Sequence, residues 1–209
     1  MFSSSQIFAH RGYWLNKSDQ NTVHSIKSAR LKNFSAEIDV QLSNEKIIVS
    51  HDNVICSPNN NVDNFDFNGI RLALNIKSDG LYKETKVIEK LLQSKDSFFF
   101  DGSIPEMFKY REIGLPHALR LSEFETTIPW ETPFIWMDGF YSDWWLKSNQ
   151  IDKFLEKSEI IMVSPEIHDQ PYKNSWDWII SKKIQGYPLS ICTDLPDDFV
   201  KYFSSFNNS

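Results

Sequence analysis

The chain has 209 residues, 41% of them hydrophobic and 24% charged, which is enough for one domain with a sizeable core. A formal net charge of −6, with no run of Lys or Arg, argues against a nucleic-acid partner. Two cysteines, Cys56 and Cys192, form no disulfide framework and fit a reducing compartment. No apolar stretch approaches the ~20 residues of a membrane span, and Met1 to Gln6 lacks the features of a signal peptide. A cytoplasmic protein without membrane insertion is therefore expected. Aromatic residues make up 14% of the chain, to be placed either in the core or as walls of a ligand pocket.

Ile7 to His10 reads as a short buried strand. Residues 20–32 read as a helix, capped by Asn21 or Thr22, with Val23, Ile26, Ala29 and Arg30 at helical spacing. Ser35 to Leu42 is the next strand, with Ile38 and Val40 on one face and Glu37 and Asp39 on the other. A turn at Asn44-Glu45 leads into a hairpin arm over Lys46 to Ser50. Residues 52–70, with Pro58 and the run Asn59-Asn60-Asn61, read as a long loop; 53–70 is the best candidate for a lid. Strands then follow at Arg71 to Ile76, Phe98 to Phe100, Ala118 to Leu121, Phe134 to Met137, Ile160 to Val163 and Leu189 to Cys192. Helices are expected at Gly80 to Ser94, Pro105 to Ile113, Trp144 to Lys157, Tyr172 to Ile184 and Pro196 to Phe203.

Apart from the hairpin arm, this makes eight strands alternating with helices or loops. The pattern predicts an α/β protein with a single domain over 1–209, a compact (β/α)8 TIM barrel with a hairpin and long loop after the second strand. At this length several helices must be short. An open doubly wound sheet is the alternative, but Gly12 stands without a G-x-G-x-x-G turn. The strands end in polar groups: His10, Asp39, Asn75, Asp101, Asp138, Glu166 and Asp194. In a barrel these converge on one mouth, although Asp138 and Asp194 also suit ordinary turn or helix-cap roles.

Glu37 and Asp39, two apart in a strand, share a face. Turned inward, they repel each other until a hard cation joins them; turned outward, they are simply solvated. His10 and His51 suit either acid–base chemistry or structural hydrogen bonding. Arg11 offers a fork for a phosphate, or an ion pair with Asp39. His24 and His117 read as structural or solvated, and His168 is left open. Trp136, Trp144 and Trp145 are candidate sugar-stacking walls.

The ordered set His10-Arg11-Gly12, Asn21-Thr22, Glu37-x-Asp39-Val40 and Val49-x-His51-Asp52 resembles the glycerophosphodiester phosphodiesterases. These belong to a barrel superfamily that includes the phosphatidylinositol phospholipases C. The resemblance is strong over residues 7–52 and continues, by strand rhythm, to about Pro196. It implies His10 and His51 as acid and base, Glu37 and Asp39 as ligands of one Mg²⁺ or Ca²⁺, and Arg11 at the phosphate. Two positions depart from the family pattern. Gln20 replaces the glutamate of Pro-Glu-Asn-Thr. Asn75-Ile76-Lys77 replaces Glu-x-Lys, which puts Asn75 at the third metal position and Lys77 at the phosphate, unless that lysine is simply solvated. Asp101 is a substitute third ligand. The implied function is metal-dependent hydrolysis of a glycerophosphodiester or related small polar phosphodiester, as in glycerol or lipid metabolism. The alternative is a weakened or inactive barrel that binds a phosphorylated or sugar-containing ligand. Neither reading fixes the oligomeric state.

Overall fold

The computed structural model describes residues 2–94, 96–148 and 151–206. Nine strands form one sheet: β1 (Ile7–Ala9), β2 (Ser35–Ser43), β3 (Lys46–Val49), β4 (Leu72–Ile76), β5 (Phe98–Phe100), β6 (Ala118–Leu121), β7 (Phe134–Met137), β8 (Glu159–Val163) and β9 (Leu189–Thr193). Eight run parallel in the order β5-β4-β2-β1-β9-β8-β7-β6, and β3 pairs antiparallel with β2 as the predicted hairpin arm. The two end strands meet. Phe99 bridges to His117 in parallel, and its amide donates to the Pro116 carbonyl at 3.0 Å. That contact closes the sheet into a (β/α)8 barrel, as the strand rhythm predicted.

The helices are α1 (Val23–Leu31), α2 (Thr85–Leu91), α3 (Ile104–Glu112), α4 (Ile151–Leu155), α5 (Lys173–Ile184) and α6 (Pro196–Phe206). Thr22 caps α1 by accepting the Ser25 amide, as one of the two predicted caps. Economy shows between β6 and β8. Among the described residues no α-helix joins β6 to β7. The helix expected over Trp144 to Lys157 is a 3-10 turn, Trp144–Lys147, followed by the short α4, with residues 149 and 150 outside the described set.

The barrel wall separates two apolar layers. Ile7, Ile38, Val40, Leu74 and Ile191 face outward onto the helices, and Phe8, Phe98, Phe100, Phe134 and Trp136 fill the interior. The strands' N-terminal end is plugged by Arg71, which makes a bidentate pair with Glu159 at 2.9 and 3.0 Å. Its guanidinium lies 5.0 to 5.7 Å from the ring centres of Phe8, Phe98 and Phe134. Toward the other end, Phe100 and Trp136 stack at 3.9 Å and form an aromatic floor.

The loop expected to act as a lid is divided. Val62, Phe65, Phe67 and Ile70 are buried in the outer core, and Lys90 Nζ donates to the carbonyls of Val62 and Asp63. The first half, from Asn53 to Asn59, is largely exposed, Val54 and Ile55 included, whereas the second half is rich in buried apolar residues. Its apolar residues explain the difference: the second half of the loop does the covering work that a barrel helix does elsewhere.

Candidate active site

The site grows out of the turn after β1. Arg11 and Gly12 both have left-handed backbone, with φ of 56° and 82°. The Gly12 amide donates to the carbonyls of Ala9 and Glu37, and a Cβ at Gly12 would stand 2.4 Å from Ser25 Oγ. Glycine is required there because α1 begins against the turn. The turn sends His10 toward the mouth and aims the Arg11 amide at Glu37 Oε2, 3.0 Å away.

On β2 the two-residue period is resolved by closure. Ile38 and Val40 face the helices, so Glu37 and Asp39 point into the barrel, both 1% exposed. Asp39 is clamped by Asn21, whose Nδ2 donates to Oδ2 at 2.8 Å and whose Oδ1 accepts the Asp39 amide at 3.1 Å. Arg11 Nε stands 3.2 Å from Asp39 Oδ2, so the ion-pair alternative for Arg11 is realised, though without hydrogen-bond alignment. Arg11 Nη1 donates to Gln20 at 3.2 Å. Lys77 Nζ lies 3.3 Å from Asp39 Oδ1. Asn75 sits beside Asp39 in the β2–β4 register, and its Oδ1 is buried with no hydrogen-bond partner.

Burial and the neighbouring Asp39 charge raise the Glu37 carboxyl from 4.5 to about 7. His10 is bound through Nδ1 to Asp194 at 2.7 Å, and its Nε2 lies 3.9 Å from Glu37. Burial opposes charge on His10, but the Asp194 hydrogen bond and the Glu37 charge hold its pKa above the ordinary imidazole value. His51 stands past β3, with its side chain 47% exposed and Nδ1 bonded to Asp52 at 2.9 Å.

His10, Arg11, Glu37, His51, Asn75 and Lys77 line one cavity of about 470 Å³ at the C-terminal ends of the strands. Asp39 lies directly behind its wall, held by the cations that line it. Six of the seven sequence-predicted site residues are therefore brought to one surface. The remaining candidates divide. Asp101 also lines the cavity, where its Oδ1 accepts Arg120 Nη1 at 2.6 Å. Trp145 is buried in the outer core, Trp144 donates to the Asp138 carbonyl, and neither lines the cavity, whereas Trp136 does. His117 is structural, bonded to Leu115 and accepting from Trp130.

Sequence reasoning missed the partners. Asp194 and Asp138 were visible as polar strand ends, but nothing local signalled that they bind His10 and His168, the latter at 2.8 Å. Glu166 steadies Asp194 in turn, accepting its amide and the Thr193 and Ser164 hydroxyls.

The donor set fits a hard divalent cation in chemistry: two buried carboxylates beside an amide oxygen with no partner. Among the described residues no group of three His, Cys, Asp or Glu is placed to hold a metal ion, and the Asn75 oxygen is the unpartnered donor beside the carboxylate pair. A cation there competes with Lys77 for Asp39.

No protein-family model matches this sequence, and no curated protein matches it. In fold it is similar to a glycerophosphodiester phosphodiesterase from Agrobacterium tumefaciens str. C58, solved as a crystal structure. That match has a TM-score of 0.66 at 16% identity, and covers 95% of this chain and 98% of that one. At that identity the likeness establishes the barrel fold shared by the two chains.

Proposed function

We propose that the chain is a phosphodiesterase that hydrolyses a small polar phosphodiester of the glycerophosphodiester kind. The observation that carries this reading is the meeting of two imidazoles, Arg11, Lys77, Glu37 and the unpartnered Asn75 oxygen on one cavity. The shared fold with a glycerophosphodiester phosphodiesterase supports it.

In this reading Arg11 and Lys77 hold the phosphate and offset charge developing on its oxygens. His10, with Nδ1 tied to Asp194, has Nε2 for proton transfer. Against the effect of burial, the Asp194 hydrogen bond and the Glu37 charge raise its pKa, which favours the imidazolium form and suits it to protonate the leaving alkoxide. His51, half exposed at the rim, accepts the proton of the attacking hydroxyl, from water or from a neighbouring alcohol of the substrate. Glu37, Asp39 and Asn75 are the groups that would hold one Mg²⁺ or Ca²⁺. Such an ion supplies Lewis-acid neutralisation of the phosphate oxygens.

The test is phosphorus NMR of glycerophosphodiesters incubated with the protein, in Mg²⁺ or Ca²⁺ and after chelation. Divalent-dependent conversion to a monoester or cyclic phosphate is expected, reduced about 100-fold or more in His10→Ala and in His51→Ala. Turnover indifferent to chelation and to both substitutions would sink the proposal. A second reading, a barrel that binds phosphate esters without cleaving them, draws on the contacts of Lys77 and Arg11 with Asp39. The chain's own cations there partly do the work of a metal. Binding without turnover under every cation condition would favour it.

A further inference from the structure

A cavity of about 710 Å³ lies on the outside of the barrel, away from the mouth. It is larger than the mouth cavity and shares no lining residue with it. Its origin is the interruption of the helical layer between β6 and β8. Pro129 and Pro133 stand in the segment joining β6 to β7. Proline fixes the backbone there and withholds amide donors, so the chain crosses as an irregular strap instead of a helix. The next cover, α4, has only five residues. Between the strap and α4 a hollow remains at the N-terminal ends of β7 and β8, with the outward-facing Ile135 in its wall.

The walls decide what fits. Ile128, Trp130, Pro133, Ile135 and Phe154 supply apolar surface. The polar groups among them are already partnered. Trp130 Nε1 donates to His117 at 3.0 Å, Thr132 Oγ1 to the His117 carbonyl at 2.6 Å, and Ser158 Oγ to the Thr132 carbonyl at 2.6 Å. A polar group buried against these walls loses its water without gaining a hydrogen bond, so the enclosed part of a ligand is hydrocarbon. Charge stands only at the exposed Glu131, Lys153, Glu156 and Lys157. Both carboxylates gather on Lys157, which donates to Glu131 at 2.7 Å and lies in the field of Glu156. Lys153, on α4, has no ion pair among the described residues. The charge left over at the edge of the apolar hollow is therefore positive. The volume falls within the range of small-molecule pockets, ~300–1,000 Å³.

We propose that this cavity binds a free long-chain monocarboxylate, its hydrocarbon tail against Trp130 and Phe154 and its carboxylate at Lys153. The inference is independent of the mouth cavity and of turnover there.

Calorimetric titration of the full chain at neutral pH tests it, with monomeric decanoate, decyltrimethylammonium and acetate as probes. Decanoate should saturate one site and bind at least about fivefold more tightly than decyltrimethylammonium, since an exposed lysine attracts one head group and repels the other. Acetate, which has no tail, should give no measurable heat. Lys153→Glu should invert the head-group preference. Ile128→Glu, which puts a charge in the apolar wall, should weaken both amphiphiles by about tenfold or more. Lys153 is exposed, so its substitution tests the site even where Ile128→Glu unfolds the chain. Decanoate should also shift the Trp130 indole resonance, assigned by its absence from Trp130→Phe. No saturable decanoate binding, equal affinity for the two amphiphiles, a preference unchanged in Lys153→Glu, or shifts confined to mouth residues such as His10 overturns the inference. Flotation with phosphatidylcholine vesicles, combined with indifference to monomeric decanoate, would make the hollow a membrane contact and refute the proposal.

Discussion

Glu37 makes folding sensitive to pH in a direction opposite to that of most paired carboxylates. Its pKa rises from 4.5 to about 7 on folding, because burial and Asp39 disfavour the anion. The folded state therefore holds a proton that the unfolded chain releases. The stabilisation is complete below the unfolded value and is lost as pH rises through the folded one. From 4.5 to about 7 the full loss is roughly 3 kcal/mol, of which about 2–3 kcal/mol falls between about pH 5 and pH 8. Glu37→Gln keeps an acceptor for the Arg11 amide and removes the titration. Urea unfolding in chelator should show wild type and variant nearly equal at the acid end. At pH ~8 the variant should be the more stable, with a melting temperature higher by roughly 6–12 °C for a domain of this size. The comparison includes the accompanying change at His10, whose raised pKa depends in part on Glu37 and acts in the same direction. Mg²⁺ or Ca²⁺ in place of chelator should restore wild-type stability at high pH and leave the variant unmoved. Parallel stability curves for the two proteins across this range would refute the buried, uncompensated charge at Glu37.

Other substitutions test other parts of the design. Arg71→Met should cost roughly 3 kcal/mol in denaturant unfolding, because Glu159 is left without its partner in the barrel plug; Arg71→Met with Glu159→Leu should recover most of that loss. Gly12→Ala adds a Cβ 2.4 Å from Ser25 Oγ at a left-handed position, and should cost about 1–3 kcal/mol in strain alone, read as a lower unfolding midpoint with weaker phosphate binding. Asp194→Asn removes the main support of the His10 proton, so the His10 titration seen by imidazole NMR should move to lower pH. An unmoved titration would remove Asp194 from the site.

Much of the fold was legible because barrel strands buried on both faces read as short apolar runs. Phe98 to Phe100 and Phe134 to Met137 were placed without error in this way. The helices between β6 and β8 were less legible. Trp144 and Trp145 look like helix residues, yet one donates to a carbonyl and the other fills the core from a 3-10 turn. The 53–70 loop was misleading for a related reason. Its asparagines advertise a flexible lid, while Val62, Phe65, Phe67 and Ile70 bury themselves against the barrel.

Local order alone determined the inventory of candidate site residues: the His-Arg-Gly turn, the Glu37 and Asp39 pair on one strand face, and His51 after the hairpin. These depend on strand period and turn geometry, which neighbours in sequence set. Which face of β2 points inward was decided only when the barrel closed and the apolar face of Ile38 and Val40 met the helices. The partners were also a tertiary outcome. Asp194 reaches His10 across 184 positions because β1 and β9 are adjacent in the sheet. Asp138 reaches His168 because β7 and β8 end side by side. The state of each charged group depends on desolvation and on neighbours drawn from several strands, so burial and pairing enter only with the closed barrel.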